Sequence, residues 1–372
     1  MKVQVLQENI SKTLLVCSRF ASSRVQLPVL ANILLKTDKN KLLIAATNLE
    51  ISIATSIGAK VIKEGEITVP ARVITDLITN LSSGQMELEV EKESLKITAS
   101  SFESSLLGMN ASDFPSIPYE FALGSLSIPS NILIDTLSSI LFAVSSDETR
   151  PTLTGVLIIL KEKETVFVST DGFRLSQKKI KVGSAKEEKK FILPKTALSE
   201  IVKLSSGADS VNFSFKKTDN QVIFGIADSV LTTRVIEGEF PDFEKIIPKD
   251  LKIKVILDKE DLLRAVKLAS VFAKDAANVI KLSVKSGYME IFAESSQSGS
   301  QRMRVDAKVE GLESSKDGFL VAFNYRFLED FLNAIKNDDV QIEFSDPNAP
   351  ALFLDSKDTD FLHIIMPVRL QA

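Results

Sequence analysis

The chain repeats itself three times, and that period limits what it can fold into more than any other feature. From Val5, apolar residues follow at Ile10, Leu14 and Cys17; from Ile128 they fall at Leu133, Leu137 and Ile140; from Leu257 they fall at Leu262, Val266 and Ala269. The offsets are the same each time, and steps of four and three put these residues on one face of a helix. Each run predicts a strand-like lead-in and then an amphipathic helix. Ser130 and Asp258 stand near two of the helix starts, where a side-chain oxygen can accept from free amides.

A second marker recurs with the first. Val69-Pro70 leads into Ile74-Thr75-Asp76-Leu77, Leu193-Pro194 into Leu198-Ser199-Glu200-Ile201, and Phe323-Asn324 into Leu328-Glu329-Asp330-Phe331. Proline suits a first helical turn because its missing amide has no partner there. The first marker recurs after 123 and then 129 residues, the second after 124 and then 130. Two independent markers with one period predict three domains, 1–122, 123–249 and 250–372. A chain of 372 residues is also too long for one ordinary core.

Alternating apolar runs lie between the helices: Leu42 to Ile53, Met86 to Thr98, Val156 to Val168, Val211 to Ile226, Ile280 to Phe292 and Val340 to Leu354. Alternation of that length predicts sheets with one buried face. Each domain then holds two helices packed on antiparallel sheets of about eight strands, in two similar halves, an α+β fold.

Several function classes fall away. The single Cys17 allows no disulfide within the chain and fits a reducing compartment. One His and one Cys exclude a zinc site built from those residues in one chain. No run of 18 apolar residues spans a membrane, and Met1 to Asn9 lacks a signal-peptide core, so a cytoplasmic protein is expected. No phosphate-binding glycine loop or dinucleotide fingerprint is present, and no cofactor is expected. Asp113, Asp171 and Asp242 could be imagined as catalytic carboxylates, but Asp171-Gly172 reads better as a tight turn. His363, between Leu362 and Ile364, reads as a buried strand residue. The chain is not expected to be an enzyme. Net charge is −4, so composition alone gives no sign of nucleic acid.

Five short motifs, in order on this repeat, resemble the family of bacterial sliding clamps along the whole chain. They are Leu27-Pro28-Val29-Leu30, Val69-Pro70-Ala71-Arg72, Thr170-Asp171-Gly172-Phe173-Arg174-Leu175, Phe240-Pro241-Asp242-Phe243 and Met366-Pro367-Val368-Arg369-Leu370. The resemblance implies three repeated clamp domains per chain, closed into a ring as a head-to-tail homodimer around duplex DNA, with helices lining the hole. Topology then holds the ring on DNA, and sequence-independent phosphate contacts suit sliding. Candidate DNA-facing bases are Arg24, Arg72, Arg150, Lys195, Lys203, Lys267 and Lys281, although Asn131 to Val144 carries no Lys or Arg.

The resemblance also implies partners: the replicative polymerase, the clamp loader, repair polymerases and other clamp-binding proteins, which dock a peptide between domains two and three. Carried over by position, that pocket comprises Leu153, Thr170, Gly172, Phe173, Arg174, Leu175, Pro241, Lys245, Ile246, Asn324, Phe327, Pro350, Ile364, Ile365, Met366, Pro367, Val368, Arg369 and Leu370. Apolar walls would take the peptide's anchors while Arg174 and Arg369 fix its polar groups. Phe173 stands where the family often has histidine and Lys245 where it often has arginine, and Gln371-Ala372 runs past the usual end. The implied subunit interface pairs edge strands of domains one and three, with Leu106, Val271 and Phe272 at apolar positions and Glu103 where a basic residue is common. The rival expectation is a repeat scaffold that binds proteins without encircling DNA.

Overall fold

Each long alternating run breaks at a turn and becomes a hairpin. The run from Leu42 to Ile53 turns at Leu49, whose φ is +77°, and the run from Ile280 to Phe292 turns at Gly287, whose φ is +84°. Glycine reaches this left-handed region without a Cβ clash. The structure, a computed structural model, describes the chain apart from residues 23–26, 119–120, 122–125, 184–187, 217–218, 313–317 and 370–372.

In the first repeat, β1 (Lys2–Leu6) leads into α1 (Gln7–Cys17), then β2 (Asn32–Asp38), β3 (Lys41–Thr47), β4 (Ile51–Gly58), β5 (Lys60–Lys63) and β6 (Glu66–Pro70) lead to α2 (Ala71–Thr79), followed by β7 (Gln85–Glu91), β8 (Ser94–Ala99) and β9 (Phe102–Leu107). The second runs through β10 (Leu126–Pro129), α3 (Ser130–Ser138), β11 (Gly155–Leu160), β12 (Thr165–Thr170), β13 (Arg174–Ile180), β14 (Lys189–Pro194), α4 (Lys195–Leu204), β15 (Ser210–Lys216), β16 (Gln221–Ile226) and β17 (Ser229–Arg234). The third has β18 (Ile253–Asp258), α5 (Lys259–Ala273), β19 (Val279–Lys285), β20 (Tyr288–Ser295), β21 (Gly299–Glu310), β22 (Phe319–Asn324), α6 (Tyr325–Ala334), β23 (Asp339–Phe344), β24 (Ala351–Asp355) and β25 (Phe361–Ile365). The expected pair of helices per repeat is present.

Helix starts follow the sequence unevenly. Asp258 caps α5 by accepting from the Asp261 amide, and Asn324 caps α6 by accepting from Arg326. Ser130 does not act as expected: it is the first residue of α3, and its buried hydroxyl has no hydrogen-bond partner. The α3 helix stops at Ser138, short of Ile140.

The chain forms two compact units that do not coincide with the repeats. One comprises Met1–Asn131 and Lys203–Val235, the other Ile132–Val202 and Ile236–Ala372. The reason lies in strand pairing. In the first unit, β17 of the second repeat pairs antiparallel with β4 of the first, making one eight-stranded sheet in the order β10-β15-β16-β17-β4-β3-β2-β6. In the second unit, β13 pairs with β25 of the third repeat inside a twelve-stranded sheet. Continuous backbone hydrogen bonding thus joins half of the second repeat to each neighbour.

In the second unit, α5 buries Leu262, Ala265, Val266, Ala269 and Ala273 against β20 and β21. A fully buried Val or Leu side chain stabilises by about 1.5–3 kcal/mol.

Candidate functional site

The site forms where the β12–β13 turn of the second repeat meets the C-terminal segment of the third, both within the second unit. The turn is self-bonded. Asp171 Oδ1 accepts from the amides of Phe173 (2.9 Å) and Arg174 (3.1 Å), and Thr170 Oγ1 donates to the Arg174 carbonyl at 2.6 Å. Gly172 sits at φ +93°, and a Cβ there would lie 3.0 Å from Arg150 Nη1. The turn leaves the Phe173 ring 59% exposed, a costly position for an aromatic side chain unless something else covers it.

Below the turn, Leu175 and Ile364 are buried in one apolar cluster with Phe243. That cluster anchors the 240–247 segment, which presents Pro241 and Ile246 at the surface. Beyond β25 the backbone keeps pairing: the Met366 amide donates to the Phe173 carbonyl and the Val368 amide to the Ala322 carbonyl, each at 2.8 Å. Met366 and Val368 are left partly exposed. Pro350 precedes Ala351, which pairs with Ile365, and Leu153 is buried at the end of a short 3-10 turn. Phe173, Ile246, Met366 and Val368 are therefore exposed apolar side chains carried by segments that share one floor.

Arg174 lies beneath the turn. Its side chain is only 9% exposed, with every arm of the guanidinium engaged. Nε donates to Asp171 Oδ2 (3.0 Å), Nη1 to Asp330 Oδ2 (2.6 Å) and Nη2 to the Phe142 carbonyl (2.7 Å). The guanidinium also lies 4.5 Å over the Phe327 ring. Arg174 braces the turn, and its five N–H donors outnumber the three acceptors it meets. Asn324 caps α6 through Oδ1, which accepts from the Arg326 amide. Arg369, Lys245 and, beside Gly172, Arg150 are exposed cations here. Lys245 lies 2.8 Å from Asp242, which raises the pKa of the lysine and lowers that of the aspartate through their mutual hydrogen bond. Leu370 lies outside the described residues, as do Gln371 and Ala372.

The histidine packs under the same turn. His363 is fully buried on β25; its Nδ1 is 2.7 Å from Ser176 Oγ, its Nε2 has no partner, and its ring stacks on Phe331 at 5.3 Å. Burial, then the charge of Arg174, hold its pKa well below the ordinary histidine value. It meets no carboxylate in a triad geometry.

The predicted DNA-facing cations separate into groups. Arg72 on α2, Lys203 on α4 and Lys267 on α5 are exposed helix residues. Lys195 is half-buried at the start of α4; desolvation, then Arg174, lower its pKa, and Asp330 partly restores it. Arg150 lies off the helices and bonds Asp147 at 2.8 Å. Lys281 lies on no helix but on β19, where Ile280, Leu282 and Val284 take the fully buried face, so alternation sends it to the other face beside Glu294 (3.7 Å) and Phe292. Arg24 lies outside the described residues. Exposed helix cations that the sequence reading missed are Lys12 on α1, Arg264 on α5 and Arg326 on α6; for Arg264 the signal was its place one turn before Lys267.

Of the predicted interface residues, Val271 is 59% exposed on α5, Phe272 is half-buried and Leu106 is buried at 9%. The exposed apolar residue on that strand is Leu107, at 81%. No group of His, Cys, Asp and Glu suited to a metal occurs among the described residues, and none of their helices is long and apolar enough to cross a membrane.

Known proteins match this chain throughout. Residues 1–118, 127–242 and 244–369 match in turn the N-terminal, central and C-terminal domains of the DNA polymerase III beta subunit. The beta sliding clamp of Synechocystis sp. is 30% identical, covering 100% of both chains, and that of Staphylococcus epidermidis 29% identical, covering 94% of both. The DNA polymerase sliding clamp of Bacillus subtilis superposes with a TM-score of 0.94 at 25% identity, and the DNA polymerase III beta subunit of Thermotoga maritima with 0.90 at 25%, each covering 100% of both chains.

Proposed function

The chain belongs to the DNA polymerase III beta subunit family, the bacterial sliding clamps, and from that premise we propose how its residues perform the clamp's work. It is a processivity factor of DNA replication and not an enzyme. Two copies close head to tail into a ring around duplex DNA, and the ring tethers the replicative polymerase, the clamp loader, repair polymerases and other clamp-binding proteins. The observation that carries this reading is the succession of three clamp-domain matches along one chain.

The charge balance agrees with a topological link. A net charge of −4 gives little overall attraction to phosphate, whereas exposed helix cations such as Arg72, Lys203 and Lys267 offer local contacts. Weak contacts let a ring slide, because each is sequence-independent and readily exchanged with salt. Work on replicating DNA places the protein in the cytoplasm.

Partners dock a short peptide on the surface made by Phe173, Ile246, Met366 and Val368. Apolar anchors of the peptide cover these side chains, and Arg369 and Lys245 meet its polar or acidic groups. Arg174 holds the shape of the turn.

The test is retention on circular against linear DNA after loading by the cognate loader with ATP and a high-salt wash. A ring stays on circles and runs off linear molecules. Equal loss from both would favour a protein-binding scaffold that encircles nothing.

A further inference from the structure

The docking turn has a counterpart in the first unit. Before β4, Thr47 Oγ1 donates to the Ile51 carbonyl (3.1 Å) and accepts from the Leu49 amide (3.0 Å), while Asn48 Oδ1 accepts from the amides of Glu50 (3.0 Å) and Ile51 (2.8 Å). Before β13, Thr170 Oγ1 and Asp171 Oδ1 make the same four bonds, with Arg174, Gly172 and Phe173 as partners. Leu49 and Gly172 share a positive φ, +77° and +93°. The two turns correspond residue for residue, which puts Glu50 in the place of Phe173.

The strands around the turns correspond as well. Thr47 pairs with Ser52 as Thr170 pairs with Leu175. Thr232 of β17 then lies opposite Ser52, and Ile364 of β25 opposite Leu175. Two residues further on, the Arg234 amide donates to the Glu50 carbonyl at 2.9 Å, as the Met366 amide does to the Phe173 carbonyl at 2.8 Å. The cover over the strands also recurs. Phe114-Pro115-Ser116-Ile117 matches Phe240-Pro241-Asp242-Phe243, and Ile117 packs on Leu43 and Ala45 as Phe243 packs with Val166 and Val168. The backbone scaffold of the docking surface thus occurs twice in the chain, once in each unit.

Its side chains do not recur. The buried floor of Leu175 and Ile364 is replaced by buried Ser52 and Thr232, and the exposed apolar pair Phe173 and Met366 by exposed Glu50 and Arg234. All four positions change from apolar to polar or charged. The Thr232 hydroxyl is buried without a hydrogen-bond partner, and an apolar side chain laid over it would supply none. Glu50 and Arg234 would have to give up water to groups that offer neither a hydrogen bond nor a charge, which opposes docking.

We propose that Glu50, Ser52, Thr232 and Arg234 are specificity determinants: they make the first copy of the scaffold reject apolar anchors and so confine partner docking to the second. The proposal rests on the reading of Phe173, Ile246, Met366 and Val368 as the docking surface. Discrimination between two sites of one backbone shape has to come from their side chains, and an unfavourable element at the wrong site serves as well as a favourable one at the right site. The functional consequence is exchange. A chain with two acceptors would hold two partners together, whereas a chain with one obliges each new partner to displace the last.

Stoichiometry tests this, read by titrating the full-length protein with a labelled peptide that carries the clamp-binding segment of the cognate polymerase. The parent is expected to bind one peptide per chain, and a variant with Glu50→Phe, Ser52→Leu, Thr232→Ile and Arg234→Met to bind two. In a Phe173→Glu background, which disables the surface of the second unit, the same four changes are expected to return one peptide per chain. A folded four-residue variant that still binds one peptide overturns the inference, as does a parent that already binds two, and both results leave the docking surface of the second unit standing. Should the buried changes prevent folding, Glu50→Phe with Arg234→Met alters exposed positions only. In the Phe173→Glu background that pair is expected to tighten peptide binding at least ~10-fold, and unchanged affinity refutes the inference. If Phe173→Glu alone leaves peptide affinity intact, the docking reading falls and this inference falls with it.

Discussion

Arg174 Nη1 donates to Asp330 Oδ2 at 2.6 Å, and this bond ties the turn of the second repeat to α6 of the third. The two residues are 156 positions apart in sequence. Asp171 and the Phe142 carbonyl complete the set of acceptors. The predicted peptide surface stands directly on this cluster.

Arg174→Ala should therefore act twice. It removes a partner from Asp171, from the 43%-exposed Asp330 and from a carbonyl; Asp171 keeps two backbone amides, so the cost is about 1–3 kcal/mol. It also releases the turn that presents Phe173. Urea denaturation and peptide titration should both fall. Arg174→Lys should not restore them, because an ammonium lacks the planar fork that reaches three acceptors. A lysine variant with parental stability and peptide affinity would show that charge alone is sufficient.

Cys17 should be inert in the folded protein. It is fully buried on α1, and burial pushes its thiol up to about 12. The thiolate is the reactive form, so at pH 8 almost none is present. An aromatic disulfide reagent should titrate no thiol in native protein and one per chain in guanidinium. Rapid native reaction would mean that α1 opens readily.

The threefold repeat, the helices and the sheet faces could be read from the sequence because each leaves a local trace: period, alternation or a capping residue. Asp258 and Asn324 cap as side chains of their type do. The turn at Leu49 left no such trace, since leucine does not favour positive φ. The role of Arg174 was hidden for a different reason. Its acceptors lie on three separate elements, and no local pattern records that they converge. The face of Lys281 is legible locally, because Ile280, Leu282 and Val284 take one face of β19 and alternation sets the lysine on the other. Leu106 and Leu107 differ only in which side of β9 they occupy, and the strand pairing settles that: Leu106 lies opposite buried Leu95 and Leu107 opposite Ser94.

His363 predicts an acid-side loss of stability. Its folded-state pKa is depressed, by burial and then by Arg174, well below an unfolded value near 6.5. The unfolded chain therefore binds the proton more readily. The stabilising contribution is complete above about pH 6.5 and declines as pH falls from there toward the folded-state pKa. Most carboxylates titrate lower, so the interval from pH 7 to 5.5 isolates the histidine. His363→Gln should flatten the denaturation midpoint across that interval. If parent and variant decline in parallel there, the decline belongs to other groups.

The C-terminal segment should be separable from the rest of the fold. Beyond β25 its described backbone bonds are those of Met366 to Phe173, in the turn before β13, and of Val368 to Ala322, on the terminal strand β22 of its sheet. Removing residues 366–372 takes away two of the four exposed apolar side chains and one cation but leaves the floor of Leu175 and Ile364 intact. A labelled peptide carrying the clamp-binding segment of the cognate polymerase should then bind at least ~100-fold more weakly, since loss of two apolar anchors at ~1.5 kcal/mol each is about two factors of ten. Sedimentation should still report a dimer, because Leu106, Val271 and Phe272, at the expected subunit interface, lie on β9 and α5 and not on this segment. Unchanged peptide affinity would move the docking surface elsewhere, and a monomer would show that the segment also supports the third repeat.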